Sequence, residues 1–383
     1  MTGVHAGISG LGFVGRSHLD ALRRLGVRVT GVVPGTTESS RRTAQSLGLH
    51  VYEDFDALLN DPQLDVVHIT TPNHLHFSMA RAALEAGKHV VCEKPLALNA
   101  GETEVLTMLS REKNLVGAVC YNLRYYPLCH QARSLVRTGK IGAPRLIHGS
   151  YLQDWLFWDT DWNWRLETEL GGELRAVADI GTHWMDLAAW VSGDDIVEVC
   201  ADLATIHPVR QKPERTVKTF AGKTKPAVDT QPVDITADDY ASILLGFGSG
   251  ARGVLTVSQV SPGRKNRLWL EVDGSRQSVS WDSESPNRLW IGRRDEANGE
   301  IIKDPALMHP DVRRHARYPG GHTEGYPDTF LGLFTDIYKY IGAGDFGAPS
   351  PFPDFSDGHA EAVLCEAILE SHRTRRWISI PRD

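Results

Sequence analysis

The sequence predicts an α/β protein: an N-terminal doubly wound parallel sheet, followed by a C-terminal α/β domain built on a large, mostly antiparallel open sheet. Three observations carry that prediction. A chain of 383 residues is too long for one ordinary core and calls for two domains. Its first 121 residues alternate short apolar strands with stretches of helical period, punctuated by glycine. Beyond "YNLRYYP" come strand patterns in quick succession: "PRLIHGSYL", "ADDYASILLGF", "GARGVLTVSQV", "NRLWLEV" and "SRQSVSWD". The expected division is 1–121 and 122–383.

Element by element, "VHAGISGLGFVGRSHLDALRRLG" reads as strand, glycine turn and helix, with Leu19, Leu22 and Leu25 at helical spacing. In the turn Gly10-Leu11-Gly12-Phe13-Val14-Gly15, the first glycine permits the bend and the second lets backbone N–H groups approach a pyrophosphate. The third lets the helix pack on the strand. The strand before, the helix after and the following strand "VRVTGVV" make this a dinucleotide-binding (Rossmann) context. The alternation continues through "DVVHIT", a helix from about His76 to Ala86, "HVVCE", a helix from about Ala100 to Lys113, and "LVGAVCY". The second strand ends in "GVVPGTTESSRRTA", with no acidic residue before Glu38 and with Arg41 and Arg42 in the next helix. An acidic residue there reads the ribose of NAD, so this segment alone leans toward NADP.

Bulk properties narrow the class. Hydrophobic content of 41 % and charged content of 23 % are those of a globular protein. A net charge of −7 and a pI near 6.1 give no electrostatic reason to expect nucleic acid or an anionic membrane as partner. No apolar run approaches the roughly 20 residues needed to span a bilayer, and the N-terminus reads as a strand, not a secretory signal. Five scattered cysteines, none in a C-x-x-C pair, argue against a disulfide framework or a structural zinc site. The expected compartment is the reducing cytoplasm.

Two stretches carry chemistry. "CEKPLAL" places Lys94 at the carboxyl edge of the sheet, where ligands of open α/β sheets bind, and Pro95 is a candidate cis residue. "VADIGTHWMDLAAW" reads as a buried helix, yet its Asp179, His183 and Asp186 return to nearly one face. A zinc reading of that face needs further ligands, and no H-E-x-x-H or cysteine pair supplies them.

Gly10-x-Gly12-x-x-Gly15, Thr71-Pro72-Asn73, Glu93-Lys94-Pro95, and Gly171-Gly172 followed by Asp179-x-Gly181-x-His183-x-x-Asp186 together resemble the glucose–fructose oxidoreductase/inositol dehydrogenase/rhizopine-catabolism family. The resemblance covers essentially the whole chain. It implies hydride transfer between nicotinamide and a secondary alcohol of a sugar or cyclitol, with Lys94, Asp179 and His183 as catalytic positions. Cofactor contacts would be Gly10, Gly12, Phe13, Val14, Gly15, Thr71, Asn73, His76, Glu93 and Lys94, with Asn73 and His76 flanking the nicotinamide. The chain departs from the pattern at Pro34-Gly35-Thr36, where an acidic ribose reader would stand. No metal is implied.

In such a reaction histidine suits the base, because its unperturbed pKa of about 6.5 lies near working pH. His183 would take the hydroxyl proton, Lys94 would stabilise charge on the reacting oxygen, and Asp179 would hold a substrate hydroxyl. Asp186, a turn further on, reads as support.

"SYLQDWLFWDTDWNWRLETELGG" crowds Trp155, Trp158, Trp162 and Trp164 among amides and carboxylates, the mixed lining of a sugar pocket. "YLQDWL" with "DWNWR" resembles the branch holding levoglucosan dehydrogenases and some scyllo-inositol dehydrogenases. That implies a small, neutral, polyhydroxylated ring and favours NAD, with NADP as the alternative. Candidate substrate contacts are Lys94, Asn122, Arg124, Gln153, Trp155, Trp164, Arg165, Asp179, His183 and His322. A scyllo- or myo-inositol dehydrogenase, a glycoside 3-dehydrogenase and a non-catalytic dinucleotide sensor or scaffold are the competing readings. A second apolar sheet face would need a partner, so a homodimer or homotetramer through the C-terminal sheet is expected. Residues from about Pro208 to Val233 read as an exposed excursion.

Overall fold

The computed structural model describes residues 3–35, 37–214 and 229–381. The chain forms two compact units: Met1–Tyr125 with Tyr326–Ala362, and Tyr126–Gly325 with Val363–Asp383. The sequence reading draws a single line after Tyr121, and the compact units interleave along the chain.

The first unit begins β1 (His5–Ser9), α1 (Phe13–Arg24), β2 (Arg28–Val33), α2 (Glu38–Ser46), α3 (Phe55–Leu59), β3 (Val66–Ile69), α4 (His76–Glu85), β4 (His89–Cys92), α5 (Ala100–Glu112) and β5 (Gly117–Val119). The five strands are parallel in the order β2-β1-β3-β4-β5. Continuous apolar runs make them so: Ile8, Val67, Ile69, Val90 and Val91 are wholly buried, as strands covered on both faces require. The winding reverses between β1 and β3, which opens a crevice at their carboxyl ends. There Gly10 N donates to Val33 O at 2.9 Å and Thr70 N to Ser9 O at 2.8 Å.

The second unit contains α6 (Pro127–Arg137), β6 (Pro144–Leu152), α7 (Thr168–Gly171), α8 (Thr182–Ser192), β7 (Ile196–Ala204), β8 (Val209–Pro213), β9 (Thr230–Asp234), β10 (Tyr240–Phe247), β11 (Arg252–Ser258), β12 (Arg267–Gly274), β13 (Gln277–Asp282), β14 (Arg288–Arg293) and β15 (Gly299–Ile302). Two helices follow, α9 (Tyr326–Ala343) and α10 (Phe355–Thr374), and then β16 (Ile378–Ser379). Strand β16 pairs antiparallel with β7 at the edge of the large sheet. The large sheet has the order β15-β14-β13-β12-β6-β11-β10-β7-β16 and is antiparallel throughout, save for the parallel β6–β11 pair. The expected excursion is partly a β8–β9 ribbon; residues 215–228 lie outside the described residues.

One face of this sheet is apolar and buried, with Ile147, Ile243, Leu255 and Val272 pointing the same way. Helix α8 packs on it, because Gly149 leaves room for the Trp184 indole, whose Nε1 donates to Trp269 O at 2.8 Å. The opposite face exposes Leu146, Leu244, Val254 and Trp290. In the first unit, α9 lays Phe330, Phe334, Ile337 and Ile341, at helical spacing, into the core that holds Leu19 and Leu22 of α1.

Candidate active site

The glycine turn divides its labour as its spacing predicts. Gly10 has φ +93°, and a Cβ there would lie 2.6 Å from Thr70 O. A Cβ on Gly15 would collide with Gly10 O. At Gly12, the residue capping α1, a Cβ would meet nothing within 4 Å. Two of the glycines are thus demanded by the protein itself, whereas the third keeps clear space in front of the free N–H groups of a helix start. That is a cradle a pyrophosphate fits and a side chain would fill. Phe13 beside it is half exposed and stacks on Tyr326, with ring centroids 6.4 Å apart. Of the ribose segment, Thr36 lies outside the described residues; Arg41 is exposed and Arg42 pairs with Glu38 at 3.2 Å.

The loops after β3 and β4 are braced together. His76, buried at the start of α4, holds Nδ1 2.7 Å from Pro95 O and Nε2 2.9 Å from Thr71 O. Asn73 is buried in the short turn before it. The Lys94–Pro95 peptide is cis. Glu93 accepts from His18 Nε2 at 3.1 Å and from the Lys94 N–H at 3.3 Å. Burial pushes its carboxyl pKa up, but the hydrogen bond from His18, with Lys94 and His76 nearby, outweighs that and holds it below the ordinary value. Asn122 donates to Thr329 Oγ1 at 2.6 Å, and Arg124 pairs with Asp357 at 2.8 Å.

In the second unit the predicted helix starts differently from the sequence expectation. Residues Val177–Gly181 form a π-helical turn, with the Thr182 N–H donating to Val177 O, and α8 begins only after it. Such turns recur at functional sites. Asp238 fixes this turn, taking the Arg175 N–H at 2.6 Å and the Val177 N–H at 2.9 Å. Asp179 stands on the turn with both oxygens engaged: Oδ1 meets Arg165 Nε at 3.1 Å and Oδ2 takes Gln259 Nε2 at 2.7 Å. Behind Gln259 sits a fully buried knot, in which Arg175 NH1 donates to Gln259 Oε1 at 2.6 Å and Asp239 binds both Arg175 and Arg210. His183 is buried one turn after Asp179, its ring 6.4 Å from that of Tyr151, and Asp186 is buried beyond it.

The aromatic stretch joins this network. Gln153 Oε1 accepts from Trp155 Nε1 at 2.7 Å and from Gln259 at 3.2 Å, and Gln153 Nε2 donates to Asn266 at 2.7 Å. Tyr151 OH donates to the same Asn266 oxygen at 2.8 Å, and burial pushes the phenol pKa up. None of Trp155, Trp158, Trp162 and Trp164 is buried, unlike Trp184 and Trp281. Arg165 lies over the Trp164 ring at 4.4 Å. The second unit therefore gathers Gln153, Trp155, Arg165 and Asp179 into one hydrogen-bonded set, with Trp164 beside it under Arg165. His322 lies in an exposed loop, with Nδ1 3.3 Å from Gly320 O. Sequence reading missed Tyr151, Gln259, Asn266 and Asp238. For Tyr151 the signal was there, since it shares a strand face with Gln153 at period two. Among the described residues, side-chain atoms of kinds able to bind a metal lie within 4.8 Å of one another at His18–Glu93–Cys120 and at His148–Glu271–Asp273, and nothing marks either group as a metal site.

Two family models account for most of the chain: residues 4–121 match an oxidoreductase family with an NAD-binding Rossmann fold, and residues 129–280 match the GFO/IDH/MocA C-terminal domain. A curated relative, the levoglucosan dehydrogenase of Pseudarthrobacter phenanthrenivorans, is 31 % identical over 100 % of this chain and 99 % of its own. This chain belongs to the GFO/IDH/MocA oxidoreductase family. Its cofactor is NAD. An inositol 2-dehydrogenase/D-chiro-inositol 3-dehydrogenase of Lactiplantibacillus plantarum is 31 % identical over 50 % of this chain and 53 % of its own. A solved levoglucosan dehydrogenase in complex with NADH and levoglucosan superposes with a TM-score of 0.87 at 28 % identity, covering 99 % of this chain and 100 % of that one.

Proposed function

We propose that this enzyme oxidises a secondary hydroxyl of an anhydrosugar or sugar, of the levoglucosan C3 type, with NAD. The division of labour follows the sequence reading, with 1–121 for the dinucleotide and 122–383 for substrate and self-association. NAD+ bound on the Gly10–Gly15 turn supplies the hydride acceptor. His183 takes the hydroxyl proton and returns it in the reverse direction. Lys94 holds the reacting oxygen and offsets the charge that develops there. Asp179 accepts from a ring hydroxyl, and Gln153, Trp155, Trp164 and Arg165 shape the ring's surroundings, with Asn122, Arg124 and His322 as further contacts.

The observation that carries the reading is Asp179 held at both carboxylate oxygens by Arg165 and Gln259, one turn before a buried histidine. A carboxylate fixed in that way keeps its orientation when a substrate hydroxyl arrives, and preorganisation of this kind is what catalysis requires. An inositol is the second reading, supported by the likeness to the inositol dehydrogenase. The likeness to levoglucosan dehydrogenase, which runs the full length of both chains, favours the anhydrosugar.

We place the enzyme in the cytoplasm, where its five free cysteines stay reduced; among the described residues, no helix is long and apolar enough to cross a membrane. Self-association uses the open face of the nine-stranded sheet, where Leu244 and Val254 are direct cross-strand neighbours.

The test is NAD+ and NADP+ reduction with levoglucosan, scyllo- and myo-inositol, glucose and a glucoside, for the wild type and His183→Ala. The expected result is levoglucosan turnover with NAD+, lowered about 10²- to 10⁴-fold by the substitution while NADH still binds. Activity on inositols alone would transfer the assignment to the second reading. NADH binding with no turnover of any polyol would make the protein a sensor.

A further inference from the structure

Behind Lys94 the first unit buries a chain of polar side chains that the reaction itself does not use. Tyr338 OH lies 2.9 Å from His68 Nε2, His68 Nδ1 lies 3.0 Å from His18 Nδ1, and His18 Nε2 lies 3.1 Å from Glu93 Oε1. The two histidines are wholly inaccessible and Tyr338 is 1 % exposed. The rings of Phe330 and Phe334 close around His18. Glu93 Oε2 takes the Lys94 N–H.

The directions of these bonds follow from donor and acceptor capacity. Glu93 is held ionised, so Oε1 accepts and His18 Nε2 must carry a proton. Burial keeps the Tyr338 hydroxyl protonated, and among the described residues its one hydrogen-bond partner is His68 Nε2, which must accept. Burial also keeps His68 neutral, so its single proton sits on Nδ1 and is donated to His18 Nδ1. Each link then carries one proton, every nitrogen is satisfied, and all the donors point toward Glu93. A doubly protonated His18 would reverse His68 and leave the Tyr338 proton without an acceptor.

We propose that Tyr338, His68 and His18 are positioning residues: a one-way chain of neutral donors that fixes the Glu93 carboxylate, and through it the backbone from which Lys94 projects. The proposal rests on the reading that Lys94 serves the reaction. Losing a link frees Glu93 to rotate, so the lysine loses its place while the dinucleotide turn is untouched. Cys120 Sγ, 3.7 Å from His18 Nε2, stands beside the chain and not in it.

The test uses the full-length enzyme with NAD+ and levoglucosan as probes, comparing the wild type with His68→Leu, His68→Gln and Lys94→Met. The expected result is a kcat at least tenfold lower for His68→Leu, with the NADH Kd within twofold of wild type. His68→Gln, which can still donate and accept, should recover most of the rate. In the wild type, ¹⁵N-histidine NMR should show His68 as the Nδ1–H tautomer and His18 as the Nε2–H tautomer, a readout that stands even if His68→Leu does not fold. Full kcat in His68→Leu alongside an inactive Lys94→Met overturns the positioning role. An active Lys94→Met instead removes the lysine reading beneath it. The opposite tautomers, or a zinc ion bound one per chain and lost in Cys120→Ser, overturn the proton assignment, since the ion would take the nitrogen given to Glu93.

Discussion

Replacing Gly12 by alanine separates folding from cofactor binding in a way the other two glycines of the turn cannot. The backbone at Gly12 has φ −69° and ψ −160°, which an alanine adopts without strain, and its added methyl meets no atom within 4 Å. Gly12→Ala should therefore change stability by no more than about 1 kcal/mol, through unfolded-chain entropy and the helix cap, or about 4 °C in Tm. The same methyl stands where the pyrophosphate must approach the N–H groups of α1. Losing one hydrogen bond to a charged group costs about 1.5–3 kcal/mol, so the NADH Kd should rise roughly 10- to 150-fold. Gly15→Ala supplies the contrast. Its methyl collides with Gly10 O, a backbone atom that cannot swing aside, and destabilises by about 1–3 kcal/mol. Thermal melts without cofactor and fluorescence titration with NADH measure both effects. A Gly12→Ala protein that binds NADH within twofold of wild type would refute the view that this glycine exists for the ligand.

Gln259→Leu removes the amide that joins Asp179 to the buried Arg175, so it should destabilise by about 1–3 kcal/mol and raise the substrate KM; a wild-type Tm and KM would count against that link. Asp238→Ala leaves the Arg175 and Val177 N–H groups without their acceptor and should lower Tm by several degrees, whereas an unchanged melt would show that the π-helical turn holds itself. The buried His68 ring takes up a proton far less readily than it would in the unfolded chain, whose histidine titrates near 6.5. Its contribution to stability is therefore full above that pH and is lost as pH falls below it; Glu93, held below its ordinary 4.5, acts in the same sense further down. Melts from pH 8 to pH 5 should show a steeper acid decline for wild type than for His68→Phe, and equal slopes would contradict this. Leu244→Asp combined with Val254→Asp should leave a monomer by analytical ultracentrifugation, and a wild type already monomeric would end the assignment of that face.

What could be read in the sequence was what lies close along the chain. The glycine turn, the strand–helix alternation and the Asp179–His183 spacing are each set within a few residues, so periodicity and motif reach them. Lys94 was legible because a strand end followed by proline is a local pattern. The partners that fix these groups were not, since Gln259 reaches Asp179 across 80 residues and Asp238 reaches Val177 across 61. Only sheet register brings such residues together. The π-helical turn was hidden for the same reason: the carboxylate that takes the Val177 N–H at its start, Asp238, lies 61 residues away. Helix α9 is amphipathic in sequence, but nothing in its pattern says that its apolar side belongs with Leu19 and Leu22 of the first unit.

The amide of Gln259 has further meaning for how such an enzyme diversifies. Its two N–H donors go to Asp179 and Gln153, and its oxygen is taken by Arg175, so it cannot flip and has no donor to spare. A substitution at Gln153 that suits a new ring disturbs the same amide that orients Asp179. Changes at 153 and 179 will therefore not be independent, and a shift in substrate reached through Gln153 must first pass through variants of impaired rate unless position 259 changes with it.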